Sequence, residues 1–444
     1  MLKKSKILVL LALVLIMSFA NIIPAFAENE PPKEAAITKV LQVPFGTDIP
    51  EATFKFEIKA ILVDSVNYIF SNNTPNMPII GAYPNNTTGT GTISLVFGKS
   101  ISAIKKDTEL SDTYTDVWYL QTPNILMDVE WKHAGEYHYH IKESEAVYTS
   151  GANVGSVDSK AEYNVVVLVK EDNTGKFVVD AVYVTRIADD EGNEANAKVD
   201  PTPGDSGDKY SQLKFTNKYW KDNGNTTTDP DDPTNPEKKW TLSISKKVKE
   251  YLADETLYFN YSMKLHMPDI IPSNMVNDYK VYKAYIVEKL TNGSYSLVTS
   301  PNNNVTYGSG GAITVTAGEV FTFSLKHNQY LVFVNTTVGA YYEITEFKSP
   351  AYNPAADVIS SAARIVTKSG GTNTDLTLSH LDNNDKPLFV GEAANSVDFV
   401  NSRAEIQITG LNLNDLPFIV LIALGLGGLV IFILAKSRKN KNYN

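Results

Sequence analysis

The sequence predicts an all-β protein in which two antiparallel β-sandwich domains lie in tandem between an N-terminal signal peptide and a C-terminal transmembrane helix. Three observations support this prediction. Short segments of period-two alternation, rich in β-branched and aromatic residues, recur along the chain with turn residues between them. A polar stretch containing prolines divides these segments into two groups. A long apolar run stands near each end of the chain.

Residues 1–27 are typical of a secretory signal peptide. Three lysines precede an apolar run over residues 7–19 that is interrupted only by Ser18, and Ala25-Phe26-Ala27 has the small-x-small pattern that signal peptidase accepts. We therefore expect the mature chain to begin near Glu28 and to be exported across the membrane.

The first domain is predicted over residues 31–220. Residues 54–58 and 163–169 alternate between apolar and polar side chains, as half-buried strands do. Residues 172–175, Asp-Asn-Thr-Gly, lie between two such runs and predict a hairpin turn. Residues 72–123 are rich in Asn, Gly, Thr and Pro, and we interpret them as an elaborated loop region.

Residues 221–239 predict an extended linker, because they contain three prolines and polar side chains but no large apolar residue. The second domain follows over residues 240–403 and is again written in alternating segments such as residues 321–325.

The C-terminal segment predicts a membrane span. Residues 416–435 carry no charge, and twenty helical residues reach about 30 Å, the thickness of the hydrocarbon core of a bilayer. Residues 436–444 form a basic tail that we expect to stay in the cytoplasm. Everything between the signal peptide and the span should then lie outside the cell.

Composition excludes several classes of site. The chain has no cysteine, which excludes disulfides, a cysteine thioester, a thiol nucleophile and a thiolate metal site. Its formal net charge of -10 argues against nucleic-acid binding, which needs a basic patch.

A lysine on an apolar strand face opens both domains. Lys39 shares its face with Ile37 and Leu41, and Lys246 has an equivalent setting. Each domain also places a glutamate on the apolar face of a middle strand, and an asparagine two positions after a phenylalanine in its last strand. The two sets are Lys39, Glu143 and Asn217 in the first domain, and Lys246, Glu346 and Asn401 in the second.

Each of these residues alone has a simpler interpretation, since an inward lysine is more often a snorkelling residue and an asparagine more often a turn former. The same order in both domains favours a shared role. Glu145 and Glu343 are alternative carboxylates that a β-bulge would turn inward, whereas Lys247 and Lys249 fall on the face opposite Lys246.

These motifs resemble the isopeptide-linkage domains of Gram-positive pilins and related surface adhesins, which are immunoglobulin-like sandwiches. The resemblance rests on the lysine-bearing first strands, on the Gly-x-Tyr-x-Tyr-x-Ile-x-Glu run over residues 135–143 with its shorter counterpart over 339–346, and on the closing Phe-x-Asn motifs. At the turn after residues 321–325 the family has Gly, and Asn328 is a tolerable substitute because Asn accepts a left-handed conformation.

In that family, the lysine and asparagine side chains condense into an amide with loss of ammonia, assisted by the glutamate. An apolar site suits this chemistry, because it lowers the pKa of the lysine that must attack as the neutral amine, and raises the pKa of the glutamate. A protonated glutamate can donate to the Asn carbonyl oxygen and relay a proton to the leaving nitrogen. The resemblance implies Lys39–Asn217 and Lys246–Asn401 bonds, assisted by Glu143 and Glu346, without a cofactor.

The family also carries a Leu-Pro-x-Thr-Gly sorting motif before the membrane span. Residues 404–415 are the matching segment, in which Thr409 and Gly410 agree with the motif while Ile406 and Gln407 depart from it. The resemblance implies a sortase as partner, with transfer to a peptidoglycan precursor or to other pilin subunits. Retention in the membrane by the C-terminal helix is the alternative.

Two function classes therefore remain. In the first, the chain is a structural pilin subunit or an anchor of a pilus or wall fibre. In the second, it is a monomeric adhesin or stalk that binds a host or matrix ligand. The sequence contains no nucleophile elbow, His-Glu-x-x-His motif or phosphate loop, which argues against an enzyme. We assign no metal site, because His138 and His140 should face solvent opposite the apolar face of their strand.

Overall fold

The computed structural model describes residues 30–60, 91–131, 133–149, 154–204, 210–222, 232–235, 240–250, 252–381, 386–403 and 416–441. The predicted signal peptide, the sorting segment and most of the predicted linker lie outside the described residues. Within them, the prediction of an all-β protein with one C-terminal apolar helix is confirmed.

We call the strands before the linker the first sandwich. They are β1 (Thr38–Pro44), β2 (Ala52–Ala60), β3 (Thr92–Phe97), β4 (Lys105–Lys106), β5 (Thr115–Gln121), β6 (Gly135–Tyr148), β7 (Val154–Val157), β8 (Glu162–Glu171), β9 (Phe177–Ala188), β10 (Glu194–Val199) and β11 (Lys214–Lys221). One sheet has the order β4-β5-β1-β11-β7, and the facing sheet has the order β10-β9-β8-β6-β2-β3. The hairpin predicted at residues 172–175 joins β8 to β9, with Gly175 at a φ of 80°.

We call the strands after the linker the second sandwich. They are β12 (Leu242–Lys249), β13 (Phe259–His266), β14 (Val281–Lys289), β15 (Tyr295–Leu297), β16 (Ile313–Thr316), β17 (Val320–Leu325), β18 (Gln329–Phe333), β19 (Tyr341–Glu346), β20 (Tyr352–Ser360), β21 (Ala363–Ser369), β22 (Leu376–Leu378), β23 (Leu388–Phe389) and β24 (Ser396–Arg403). One sheet runs β15-β14-β18-β12-β24-β20-β21 with β16 beside β14, and the other runs β17-β13-β19-β22 with β23 beside β19.

Helices are few in the described residues. A single turn, α1 (Val276–Tyr279), precedes β14, and the long helix α2 (Leu416–Lys441) ends the described chain. Residues Pro417–Arg438 of α2 have a mean hydropathy of 3.0 and include no buried residue, so this helix is long and apolar enough to cross a membrane.

Each sandwich contains one parallel pair that the alternation of the sequence does not reveal. β1 lies parallel to β11, and β12 lies parallel to β24, so the first and last strands of each sandwich are neighbours. Period-two patterning predicts which face of a strand is buried but not its partner, and a parallel pair needs a long connection between its strands. The chain consequently enters each sandwich at one end and leaves it at the other.

The interpretation of residues 72–123 as a loop region is wrong for much of its described part. β3 pairs with β2, and β5 pairs with the whole length of β1. These strands are short and lie between turn-rich stretches, so the high Asn, Gly, Thr and Pro content of the region obscured the alternation that would have predicted them. Residues 61–90 lie outside the described residues.

Each sandwich buries its own core. Aromatic and branched side chains from both sheets of the first sandwich form one cluster, and those of the second form another. A smaller cluster around Trp220, Ile270 and Ile271 lies where the end of β11 meets the segment after β13. Because the two main clusters are separate, each lysine-bearing first strand is surrounded by the core of its own sandwich.

Candidate functional site

The pairing of β1 with β11 places Lys39 beside Asn217. Lys39 lies opposite Phe215 and Leu41 lies opposite Asn217, so the lysine and the asparagine are diagonal neighbours on one face. That face points into the sandwich, and both residues are fully buried. The inward lysine predicted from the alternation of β1 is therefore present in the structure.

Glu143 reaches the pair from the facing sheet, in β6. Tyr137, Tyr139 and Ile141 precede it on the same buried face, and its side chain is 2% exposed. A β-bulge in the β2–β6 pairing follows directly, because Phe56 lies opposite Glu143 while the preceding residue of β2 lies opposite Glu145. The bulge separates the two carboxylates, and the rival Glu145 pairs with an exposed lysine at the surface.

The first triad is closely connected. Lys39 Nζ contacts Asn217 Oδ1 and lies 2.5 Å from Glu143 Oε2, while the other carboxyl oxygen of Glu143 accepts a hydrogen bond of 2.7 Å from Asn217 Nδ2. The ring of Phe54 packs 4.4 Å from the amine. The glutamate thus touches both the lysine nitrogen and the side-chain nitrogen of the asparagine.

Burial adjusts both acid–base groups toward their neutral forms. Loss of hydration lowers the pKa of Lys39 to about 8, although the neighbouring Glu143 partly opposes the shift. The same burial raises the pKa of Glu143, against the opposing effects of Lys39 and Asn217. A neutral amine next to a protonated carboxyl is the state that attack on the amide carbon requires.

The second sandwich repeats the arrangement. Lys246 lies opposite Phe399 in the parallel β12–β24 pair, and Asn401 lies two residues further along the same face. From β19 of the facing sheet, Glu346 Oε1 lies 2.6 Å from Lys246 Nζ and 2.6 Å from Asn401 Nδ2. All three side chains are at most 1% exposed.

The electrostatics of the second triad follow those of the first. Burial lowers the pKa of Lys246 to about 8 and raises the pKa of Glu346. The ring of Phe259 packs 4.0 Å from the amine. Among the described residues, Asn401 Oδ1 is buried and has no hydrogen-bond donor. If this amide turns by 180°, its oxygen meets Glu346 Oε1, and a protonated Glu346 can donate to it.

The alternative residues lie outside the two triads. Lys247 and Lys249 are exposed, as predicted from alternation, and Glu343 is exposed opposite Lys264. His138 and His140 lie on the outer face of β6, near Glu136 and Glu162 respectively. The sorting residues Thr409 and Gly410 lie outside the described residues.

The turn between β17 and β18 has the predicted conformation. Asn328 has a φ of 60°, in the left-handed region where the family has glycine. Its backbone N–H donates to the carbonyl oxygen of Lys246 at 2.9 Å, so the turn braces the lysine-bearing strand.

Sequence reasoning missed the loop between β7 and β8. The backbone N–H of Ser159 donates to Asn217 Oδ1 at 2.8 Å, and Asp158 Oδ1 accepts from Asn217 Nδ2 at 3.2 Å. Neither residue belongs to an alternating run, and the loop reaches Asn217 only because β7 pairs with β11. No pattern in the sequence signals this contact.

Comparison with known families gives one match over the residues of the first triad. Residues 35–220 match the family model described as a Spy0128-like isopeptide containing domain. The match covers the first sandwich and less than half of the chain. The Spy0128-like match spans Lys39, Glu143 and Asn217.

The second sandwich matches a different model. Residues 240–380 match a family described as a domain of unknown function, DUF7601. This range contains Lys246 and Glu346 but ends before Asn401, so the triad of the second sandwich extends beyond the match.

Solved structures give a looser likeness. The major pilin from Streptococcus pyogenes is 14% identical, with a TM-score of 0.29 over 85% of this chain and 100% of the pilin. The major pilin T-13 from Streptococcus pyogenes is 16% identical, with a TM-score of 0.27 over 84% of this chain and 98% of the other. A pilus-presented adhesin is 11% identical, with a TM-score of 0.21 over 50% of this chain and 36% of its own. No curated protein matches the chain.

Proposed function

We propose that this chain is a structural protein of the Gram-positive cell surface, a pilin subunit or an anchor of a pilus or wall fibre, whose two sandwiches are each closed by an autocatalytic Lys–Asn isopeptide bond. The observation that carries the proposal is the fully buried Lys39 in contact with Asn217, with Glu143 touching both side chains. The repeated triad in the second sandwich and the Spy0128-like match over residues 35–220 support it.

The reaction needs no cofactor. Neutral Lys39 attacks the side-chain carbonyl carbon of Asn217, and Glu143 takes a proton from Nζ and supplies one to Nδ2, which leaves as ammonia. Because the fold fixes the reacting groups in contact, an effective concentration of about 10⁵ M or more replaces an activating enzyme. Folding itself would start the reaction, and the only activity proposed for the chain is directed at itself.

The bonds would stabilise a fibre under load. Lys39 and Asn217 are 178 residues apart, and closing a loop of that length stabilises a fold by about 5 kcal/mol if an isopeptide acts as a disulfide does. The parallel β1–β11 and β12–β24 pairs put both cross-links between the strands by which the chain enters and leaves each sandwich. A pull on the termini would then act on covalent bonds.

Attachment to the surface follows from the two ends of the chain. The predicted signal peptide would export the protein, and helix α2 would retain it in the membrane until a sortase acts at Thr409-Gly410. The acceptor would be a peptidoglycan precursor or another pilin subunit. Nucleic acid is not among the proposed partners.

The isopeptide proposal is tested by the intact mass of residues 31–403. Each bond releases one ammonia, so the measured mass should be lower than the sequence mass by about 17 Da per bond, or about 34 Da for two. A mass equal to that of the sequence would overturn the proposal.

Analysis of wall extracts distinguishes a fibre subunit or anchor from a monomeric adhesin or stalk. A ladder of covalent multimers that react with one antibody supports a pilin subunit or anchor. A single wall-linked species of one chain length favours the monomeric adhesin or stalk, whose ligand would come from a host or matrix.

A further inference from the structure

The loop that connects β7 to β8 completes the first triad on the side of the leaving group. Ser159 is buried and its backbone N–H donates to Asn217 Oδ1 at 2.8 Å. An N–H can donate only to the oxygen of the amide, so this bond fixes which end of the Asn217 side chain is which. Nδ2 must then face the carboxylates of Glu143, at 2.7 Å, and Asp158, at 3.2 Å.

Asp158 connects this buried amide to the solvent. The residue is exposed, yet its Oδ1 lies within hydrogen-bond distance of a fully buried asparagine. Glu143, by contrast, is nearly sealed in the core. The nitrogen that would leave therefore has an acidic neighbour on its inner side and another on its outer side.

The loop is fastened to the strand that carries the asparagine. Ser159 Oγ donates to Asp190 Oδ1 at 2.6 Å, and the same oxygen accepts from the backbone N–H of Thr216 at 2.8 Å. Because Thr216 directly precedes Asn217, Asp190 sets the distance between the loop and the reacting amide. The Ser159 N–H is thus prepositioned rather than recruited during the reaction.

The second triad lacks these contacts. Asn401 Nδ2 donates to Glu346, and Asn401 Oδ1 has no donor among the described residues. The two sites of one chain therefore differ in the groups around the amide while sharing the Lys, Glu and Asn.

We infer that the Asp158–Ser159 loop is a second catalytic element of the first sandwich, an inference that rests on the proposed function. In this loop the Ser159 N–H stabilises the oxyanion, and the Asp158 carboxylate receives the departing ammonia. When Lys39 Nζ bonds to the Asn217 carbon, the carbonyl electron pair moves to Oδ1, where the N–H donates to it. Protonated Glu143 gives its proton to Nδ2 and recovers one from Nζ, so its carboxyl is unchanged at the end. Collapse reforms the carbonyl, breaks the bond to Nδ2 and releases ammonia beside Asp158.

The test follows the two bonds in time in the full-length chain. A short pulse of cell-free synthesis is stopped, samples are quenched in acidic denaturant at intervals, and the two cross-linked peptides are quantified by mass spectrometry after digestion. In Asp158→Ala the Lys39–Asn217 bond should form about tenfold more slowly, which is less than the roughly 100-fold or larger effect of a general acid–base group because Glu143 remains. The Lys246–Asn401 bond should form at its wild-type rate and serves as the internal control.

Two further variants separate charge and position. Asp158→Asn keeps an oxygen acceptor but removes the charge, and it should also slow the first bond. Lys160→Ala alters an exposed residue of the same loop that has no contact with Asn217 and should leave the rate unchanged. A first bond that forms at the wild-type rate in Asp158→Ala overturns this inference alone, whereas a wild-type chain without the Lys39–Asn217 peptide overturns the proposed function.

Discussion

Burial of a lysine amine is costly unless the charge is paired or removed, and both sandwiches contain such an amine. Lys39 and Lys246 lie in aromatic surroundings, each beside a single close carboxylate. A buried ion pair recovers only part of its lost hydration. Conversion of the amine to an amide removes the charge from the core. The cross-link would therefore eliminate the electrostatic cost of the buried lysine from which it forms.

The Glu143→Ala variant tests the assisting carboxylate. It removes the proton relay and leaves Lys39 without its carboxylate, so the first bond should not form while the second does. The intact mass of residues 31–403 should then lie one ammonia, about 17 Da, above that of the cross-linked wild type. Glu145→Ala is the matched control, since Glu145 lies just beyond the bulge and pairs at the surface. Loss of the bond in Glu145→Ala but not in Glu143→Ala would reassign the role.

The pKa of Lys39 predicts a pH dependence when no bond can form. In Asn217→Ala, Lys39 should titrate near pH 8 in the folded state and near 10.5 when unfolded. Between these values the unfolded chain binds the extra proton, so stability should rise with pH by about 3 kcal/mol. Denaturant unfolding, followed by the fluorescence of Trp118, Trp131 and Trp220 in the first sandwich, measures this rise.

The matched control adds Lys39→Met to Asn217→Ala. Methionine fills a similar volume without a titrating amine, so the increase between pH 8 and 10.5 should disappear. An equal increase in both variants would show that other groups cause it.

For individual residues, the sequence predicted burial correctly where the alternation of a strand determines which side chains face inward. The period of two in a strand places Lys39 with Ile37 and Leu41, and the structure buries all three. Alternation could not choose between Glu143 and Glu145, because a bulge changes the face between them. It could not find Asp158, because only the pairing of β7 with β11 brings that residue to the site.

At the scale of elements, the first and last strands of each sandwich determine how a load is carried. β1 and β11 are parallel neighbours, and a pull on the chain shears one along the other. Backbone hydrogen bonds alone resist shear until they break together, whereas a Lys39–Asn217 bond cannot slide. Alternation predicted both strands but not their parallel pairing, since the contact spans almost the whole sandwich, and only the family resemblance implied that Lys39 and Asn217 lie close together.

Single-molecule pulling from both ends of residues 31–403 tests this role. In the wild type, the segment from Lys39 to Asn217, which are 178 positions apart, should stay closed. In Glu143→Ala it should be released in one step of about 600 Å at full extension. The second sandwich provides the internal control, because its own proposed cross-link should form in this variant. A step of this length in the wild type would show that the first sandwich is not closed.

At the scale of the whole molecule, the two sandwiches contact each other closely. The rings of Phe45 and Phe389 pack at 4.8 Å, and Lys221 Nζ lies 2.8 Å from a carboxyl oxygen of Glu392. Gly339 in the second sandwich has a φ of 80°, and a Cβ there would lie 2.2 Å from Pro44 of the first. A side chain at this position cannot be accommodated without separating the two surfaces.

The Gly339→Ala variant should therefore loosen the contact between the sandwiches. Hydrogen exchange followed by mass spectrometry should show faster exchange in peptides around Phe45 and Phe389 than in the wild type. Gly318→Ala is the matched control, because Gly318 has a similar φ of 78° but open space around it. Equal exchange in Gly339→Ala and Gly318→Ala would show that backbone strain, rather than loss of the contact between the sandwiches, causes the faster exchange.

Folding of the first sandwich is proposed to join Lys39 to Asn217 by a covalent bond. Peptide mapping of the purified chain by tandem mass spectrometry tests it most directly. We expect one branched peptide that contains both residues, with fragment ions that place the link at these two side chains and a mass lower than the sum of its two parts by one ammonia, about 17 Da. Recovery of the Lys39 and Asn217 peptides separately and at full mass from the folded protein would contradict the account.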